Sequence, residues 1–149
     1  MNYSTGRKIY IAISAILVAA VAIIIFYLSD QTATESSSTS DSLIDLIFKL
    51  IGQVFSADLI RSLAHFCEYA GLGFLVHNLL FAIKDKLKPL IAIFLSFGYS
   101  ITDEIHQLFV PGRSFQLIDL TVDLAGIVLG VVVFCLLIFI KHKVQKYKV

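Results

Sequence analysis

Between residues 100 and 114 the chain reads SITDEIHQLFVPGRS. This stretch sets two carboxylates (Asp103, Glu104), an imidazole (His106), a carboxamide (Gln107) and a guanidinium (Arg113) within a few helical turns. Upstream, RSLAHFCEYA carries Arg61, His65, Glu68 and Tyr69, and downstream LIDLTVD carries Asp119 and Asp123. Such side chains support three kinds of chemistry. A carboxyl or imidazole can move a proton, a guanidinium can clamp a carboxylate or phosphate, and a group of carboxylates can hold a cation. His65-x-x-Glu68 has the i, i+3 spacing of metal sites in helical bundles. A second ligand pair is missing, because His106 points roughly 160° away from Glu104 on an ideal helix. No metal and no other cofactor is therefore expected, and no nucleophile elbow, HExxH or P-loop occurs.

The elements that must position these groups are apolar. The 149 residues are 58% hydrophobic with a mean hydropathy of +0.87, well beyond the roughly 45–50% of an ordinary soluble domain. The net charge of +1 gives no bias toward nucleic acid, and none is expected as a partner. Ile9 to Leu28 is a continuous apolar run, about the twenty residues that cross a ~30 Å hydrocarbon core as a helix. Its length argues for a retained anchor rather than a signal peptide, whose apolar core has only ~7–15 residues. Residues 29–42 are Ser/Thr-rich and acidic, the composition of a linker. Leu43 to Phe55 has polar residues at helical spacing but is too short to span, which predicts an amphipathic helix at the interface. Further spans are predicted over Ser62–Ile83, Leu90–Val110 and Leu117–Ile140, separated by KDKLKP and by the PGRS turn. The expected fold is an all-α four-transmembrane-helix bundle with an extracellular amphipathic helix.

Arg7, Lys8, Lys84, Lys86, Lys88, Lys141, Lys143, Lys146 and Lys148 fall on one side of this arrangement, leaving Lys49, Arg61 and Arg113 on the other. The positive-inside rule then puts both termini in the cytoplasm. Cys67 and Cys135 separate by roughly 18 Å of depth, too far for a disulfide. The scattered polar groups collect into one layer in the outer leaflet. Arg61, His65, Glu68 and Tyr69 occupy an arc of roughly 100° on the second span. Ser96, Tyr99, Ser100, Asp103, Glu104 and Gln107 share a face of the third, and Asp119, Asp123, Gly126 and Gly130 fall within roughly 60° on the fourth. Gly126-x-x-x-Gly130 permits close helix approach, so the stripe with both acids is expected to face a neighbouring helix. Left in lipid, five acids would cost on the order of 10 kcal/mol. Two arginines do not balance them, which implies proton uptake, a bound cation or a cationic ligand group. His77 and Asn78, deeper and off this face, are expected to pack or to hydrogen-bond between helices.

The ordered pair RSLAHFCEYAGLG and DEIHQLFVPGRSFQLIDLTVDLAG resembles the VanZ-like family of bacterial membrane proteins. His65, Glu68 and Tyr69 match its first motif. Asp103, Glu104, Gln107, Pro111, Gly112, Arg113, Asp119, Asp123 and Gly126 match its second. Ser62 and Asp123 depart from it, where many relatives carry lysine and asparagine. Composition and topology set off a cytoplasmic N-terminus with the first transmembrane helix (1–28) and an extracellular Ser/Thr-rich linker with the amphipathic helix (29–60). The resemblance covers the remainder, a VanZ-like domain with three spans and a basic cytoplasmic tail (61–149). It implies a Gram-positive cell-envelope protein linked to teicoplanin resistance. Three readings stay open. One is a site for an amphiphilic envelope molecule among the membrane lipids, a lipid-linked wall precursor or a lipoglycopeptide. The others are an enzyme acting on a lipid headgroup or precursor through His65, Glu68 or Glu104, and a proton- or cation-coupled transporter.

Overall fold

The computed structural model describes residues 3–30 and 57–146, and within them the chain is all helical, with no strands. The four helices are α1 (Thr5–Ser29), α2 (Ala57–Lys84), α3 (Pro89–Gln107) and α4 (Leu117–Lys146). Of the expected linker and amphipathic helix, residues 31–56 lie outside the described residues; at the edges of that segment Ser29 closes α1 instead of opening the linker, and residues 57–60 belong to the first turn of α2.

Each helix begins and ends where local chemistry dictates. Ser4 caps α1 by accepting the Arg7 amide with its hydroxyl. α2 stops at Asp85, whose φ of 55° is left-handed, as helix exits commonly require. Pro89 opens α3 as its first residue, where its missing N–H leaves no intrahelical bond unmade. α3 ends at Gln107, earlier than the apolar pattern suggests. The chain then tightens through bonds from the Phe109 amide to the His106 carbonyl and from the Val110 amide to the Gln107 carbonyl. A turn follows in which the Arg113 amide reaches the Val110 carbonyl. Pro111 occupies its second position and Gly112, at φ 79°, its third, the signature of a type II turn.

α1, α2 and α4 are long and apolar enough to cross a membrane. α3, at 19 residues, is not among them, because its last turns carry Asp103, Glu104, His106 and Gln107. α2 and α4 are the most closely packed pair. A Cβ on Gly126 or Gly130 would fall within 3.0 Å of the Phe66 or Ala70 carbonyl oxygen, and one on Gly73 would stand 2.7 Å from that of Ile127. The two backbones touch where side chains are absent, the close approach expected of a small-xxx-small stripe. Tyr69, Leu72, Val76, Ala92, Ile127 and Val131 build the core around this contact, joined by Ile25.

α1 lies against this unit by polar pins. The Asn78 side-chain Nδ2 donates to the Ser14 hydroxyl (2.9 Å), and the Tyr10 hydroxyl donates to the Asn78 side-chain Oδ1. The Tyr3 hydroxyl and Arg7 guanidinium donate to the Ala82 and Ile83 carbonyls, satisfying the end of α2. Interhelical hydrogen bonding is thus what Asn78 does. His77 is buried, accepting from the Lys88 amide (3.2 Å) and packing its ring on Phe134. Cys67 and Cys135 are free thiols.

Candidate functional site

At the end of the bundle opposite the basic residues, the sequence motifs meet. α2 supplies His65, Glu68 and Tyr69, α3 supplies Ser100, Asp103, Glu104 and Gln107, and α4 supplies Asp119 and Asp123. The close α2–α4 contact controls the geometry. With Gly126 and Gly130 against α2, Asp123, nearly one turn before Gly126, turns toward His65 on the facing helix. Its Oδ1 stands 3.7 Å from His65 Nδ1, while its Oδ2 accepts the Ser100 hydroxyl at 2.6 Å. Asp123 therefore ties all three helices together. Asp103 Oδ2 accepts the buried Tyr69 hydroxyl at 3.0 Å, a second bond between α2 and α3.

Glu104 performs a different task. It is fully buried, and its Oε2 accepts the Gln116 amide at 3.0 Å. Gln116 in turn offers its carbonyl to the Asp119 and Leu120 amides as α4 begins. The carboxylate thus satisfies a backbone donor at a helix start, where the macrodipole favours negative charge. Asp119 follows in the first turn of α4 and is also buried. The PGRS turn folds Arg113 back to a half-buried position close enough to Glu68 to influence it electrostatically.

The site is graded from rim to floor. His65, Glu68 and Arg113 are half-buried at the rim, whereas Asp103, Glu104, Gln107, Asp119, Asp123, Ser100 and Tyr69 are buried beneath them. Glu104 Oε1 and Gln107 Oε1 are buried acceptors with no hydrogen-bond donor among the described residues. Leaving a buried acceptor unmatched costs about 1–3 kcal/mol. The floor is therefore rich in acceptors and short of donors.

Arg61 belongs to α2, but its side chain lies outside the described residues. His106 turns away from the acids to α1, with Nε2 3.1 Å from Asp30 Oδ1 and its ring 4.6 Å from that of Phe26. Sequence reasoning missed the contribution of α1. Ser29 accepts from the Gln107 carboxamide at 3.0 Å and also lies beside Asp103. The signal was present, since Ser29 and Asp30 end the first apolar run at the depth of Asp103 and Gln107. Among the described residues, no group of three or more His, Cys, Asp or Glu side chains is placed to hold a metal ion.

The arrangement can clamp an anionic group at Arg113, accept hydrogen bonds from an amine or hydroxyl at the acids, and transfer a proton at His65. The imidazole faces a buried carboxylate at ion-pair distance, 3.7 Å, whose charge complements a protonated ring without fixing it by a hydrogen bond. No curated protein and no solved structure matches the chain. The VanZ/LLP1 family does, over residues 14–139, from within α1 to the last turns of α4. With that match over most of its length and three helices built to cross a bilayer, the chain belongs to the VanZ/LLP1 family as a helical membrane protein.

Proposed function

We propose that the protein is a four-span membrane protein of the bacterial cell envelope, with cytoplasmic termini. In this reading the polar layer is an outward-facing site for an amphiphilic envelope molecule. α3 supports the fourth crossing: its 19 residues measure about 28 Å, close to the ~30 Å hydrocarbon core. The observation that carries the binding reading is the mixed-sign rim over an acceptor-rich floor. Arg113 meets an anionic group of the ligand, and Glu68, Asp103 and Glu104 meet its amines or sugar hydroxyls. Ligands of that chemistry include a lipid-linked wall precursor and an acylated glycopeptide, and capturing either alters how a lipoglycopeptide such as teicoplanin reaches the wall.

Two measurements test this. Teicoplanin added to the protein in lipid vesicles should bind saturably, and Arg113→Ala should weaken binding about tenfold, the equivalent of one charge-assisted contact. Unchanged binding removes Arg113 from the site. In a deletion strain complemented at matched membrane levels, the wild type should protect against teicoplanin more than against non-acylated vancomycin. Glu104→Gln keeps an acceptor for the Gln116 amide but loses the charge, and should abolish the difference. Equal susceptibility of every strain would sink the resistance role.

The His65–Asp123 pair supports a second reading, an enzyme acting on a lipid headgroup or precursor with His65 as base. An envelope-lipid profile that changes in His65→Ala cells would favour it, and identical profiles in deletion and wild-type cells would count against it. A coupled transporter ranks last. His77 and Asn78, the deeper polar groups, are engaged with neighbouring helices rather than continuing the layer inward.

A further inference from the structure

Below the polar layer, α1, α2 and α3 line a partly open apolar groove of ≈ 270 Å³. Val18 and Ala22 form one wall, Leu72, Val76 and Leu80 the floor, and Ser96 and Tyr99 the other wall. From Leu72 to Ile83 along α2 the groove runs about 16 Å. Its upper end lies at Tyr99, one helical turn before Asp103 on α3, so the groove ends just beneath the polar layer. The Tyr99 hydroxyl donates to the Ala22 carbonyl at 2.6 Å and holds the two walls at that end.

One feature of the lining is not apolar. Ser96 is only 1% exposed, and its hydroxyl has no hydrogen-bond partner among the described residues. A helical serine ordinarily settles its hydroxyl on the carbonyl one turn back. This one stays unmatched in the wall of the groove, about 10 Å below Asp103. An orphaned hydroxyl at that depth suits an oxygen near the head of a lipid chain.

We propose that this groove seats one acyl chain of a bilayer lipid whose headgroup, amine and phosphate together, occupies the polar layer. The inference rests on the headgroup reading above and names the ligand as a lipid already in the membrane. Lipid tails are as apolar as the groove, so seating a chain gains no hydrophobic free energy over the bilayer. Selection comes instead from the Ser96 hydroxyl, the fit of the chain and the charges above it.

The test is photolabelling of the full chain in phosphatidylethanolamine/phosphatidylglycerol vesicles doped with phosphatidylethanolamine carrying a diazirine in one acyl chain. Labelling should concentrate on Leu72, Val76 and Leu80 over Ile16, a lipid-facing position of α1 that is 66% exposed. Ala22→Phe or Val18→Phe, two independent ways of filling the groove, should lower labelling of the α2 positions about fivefold and leave Ile16 unchanged. Ser96→Ala should lower it by a smaller factor. If both filling variants insert and label like the wild type, or if the groove labels no more than Ile16, the inference is overturned. Arg113→Ala separates the two ideas. Groove labelling that falls with Arg113→Ala supports both. Labelling that persists in Arg113→Ala but is lost in Ala22→Phe supports the chain site and overturns the headgroup reading.

Discussion

α1 and α4 are almost equally apolar, with mean hydropathies of 3.0 and 2.8 over their most apolar stretches. Yet 11% of that stretch is buried in α1 and 33% in α4. Hydrophobicity therefore does not decide which helix enters the bundle. In a bilayer both have an apolar surrounding whichever way they turn, so association depends on packing and on polar groups that need partners. α4 has Gly126 and Gly130 to admit a neighbouring backbone and Asp119 and Asp123 to require one. α1 presents Ile13, Ile16, Ile23 and Tyr27 outward and attaches through Ser14, Ser29, Tyr3, Arg7 and Tyr10. One helix is seated by backbone contact and the other is fastened by side chains.

Adding matter to each helix should break the comparison most sharply. Gly130→Ala puts a methyl group against the Ala70 carbonyl, where only backbone can yield. It should destabilise the protein by about 3 kcal/mol, the upper range for overpacking. Ala20→Leu enlarges an exposed α1 position and should have no measurable effect. Thermal unfolding in detergent distinguishes them, and equal losses would mean that α4 is not seated by its glycines.

A smaller effect is expected from the polar centre of the seated pair. Asp123→Ala strands the Ser100 hydroxyl and removes the carboxylate facing His65, and should cost about 2 kcal/mol. Asp123→Asn keeps an acceptor for Ser100 and should recover about half of that loss. Both would be read by the same melt, and an alanine variant as stable as the asparagine one would contradict the tie between three helices. The smallest effect belongs to the fastened helix. Asn78→Ala removes the bonds to Ser14 and Tyr10 and should cost about 1.2 kcal/mol, two contacts at the ~0.6 kcal/mol average for polar groups between helices in lipid. Proteolysis near residue 30 should rise in that variant while the α2–α4 unit keeps its melting behaviour. Loss of the whole bundle would mean that α1 is integral to the core.

These differences also mark where residue patterns stop informing. The stripe of Asp119, Asp123, Gly126 and Gly130 followed from 100° steps, and the glycines do face a neighbouring helix. The partner helix was invisible to that count, because a helical wheel orders residues on one cylinder and says nothing of which cylinder stands opposite. Glu104 illustrates a second limit. Its type and place suggested acid–base chemistry, while its bond to the Gln116 amide, across the PGRS turn, gives it a helix-starting role that no spacing encodes. His106, adjacent in sequence to the acids, faces α1 because two residues of helix turn a side chain by about 200°.

By itself the sequence determined the all-helical class, the apolar lengths, the turn at Pro111–Gly112 and the membership of the VanZ/LLP1 family. These follow from local rules: how many apolar residues cross a bilayer, which residues break a helix and how side chains repeat around one. Tertiary structure alone decided that Asp123 bridges His65 and Ser100, that Ser29 joins the layer, and that a groove with an orphaned Ser96 hydroxyl opens beneath it. Each of these depends on the distance between helices, set where the small residues of α2 and α4 let backbones touch and where the Tyr99 hydroxyl links α3 to the Ala22 carbonyl of α1.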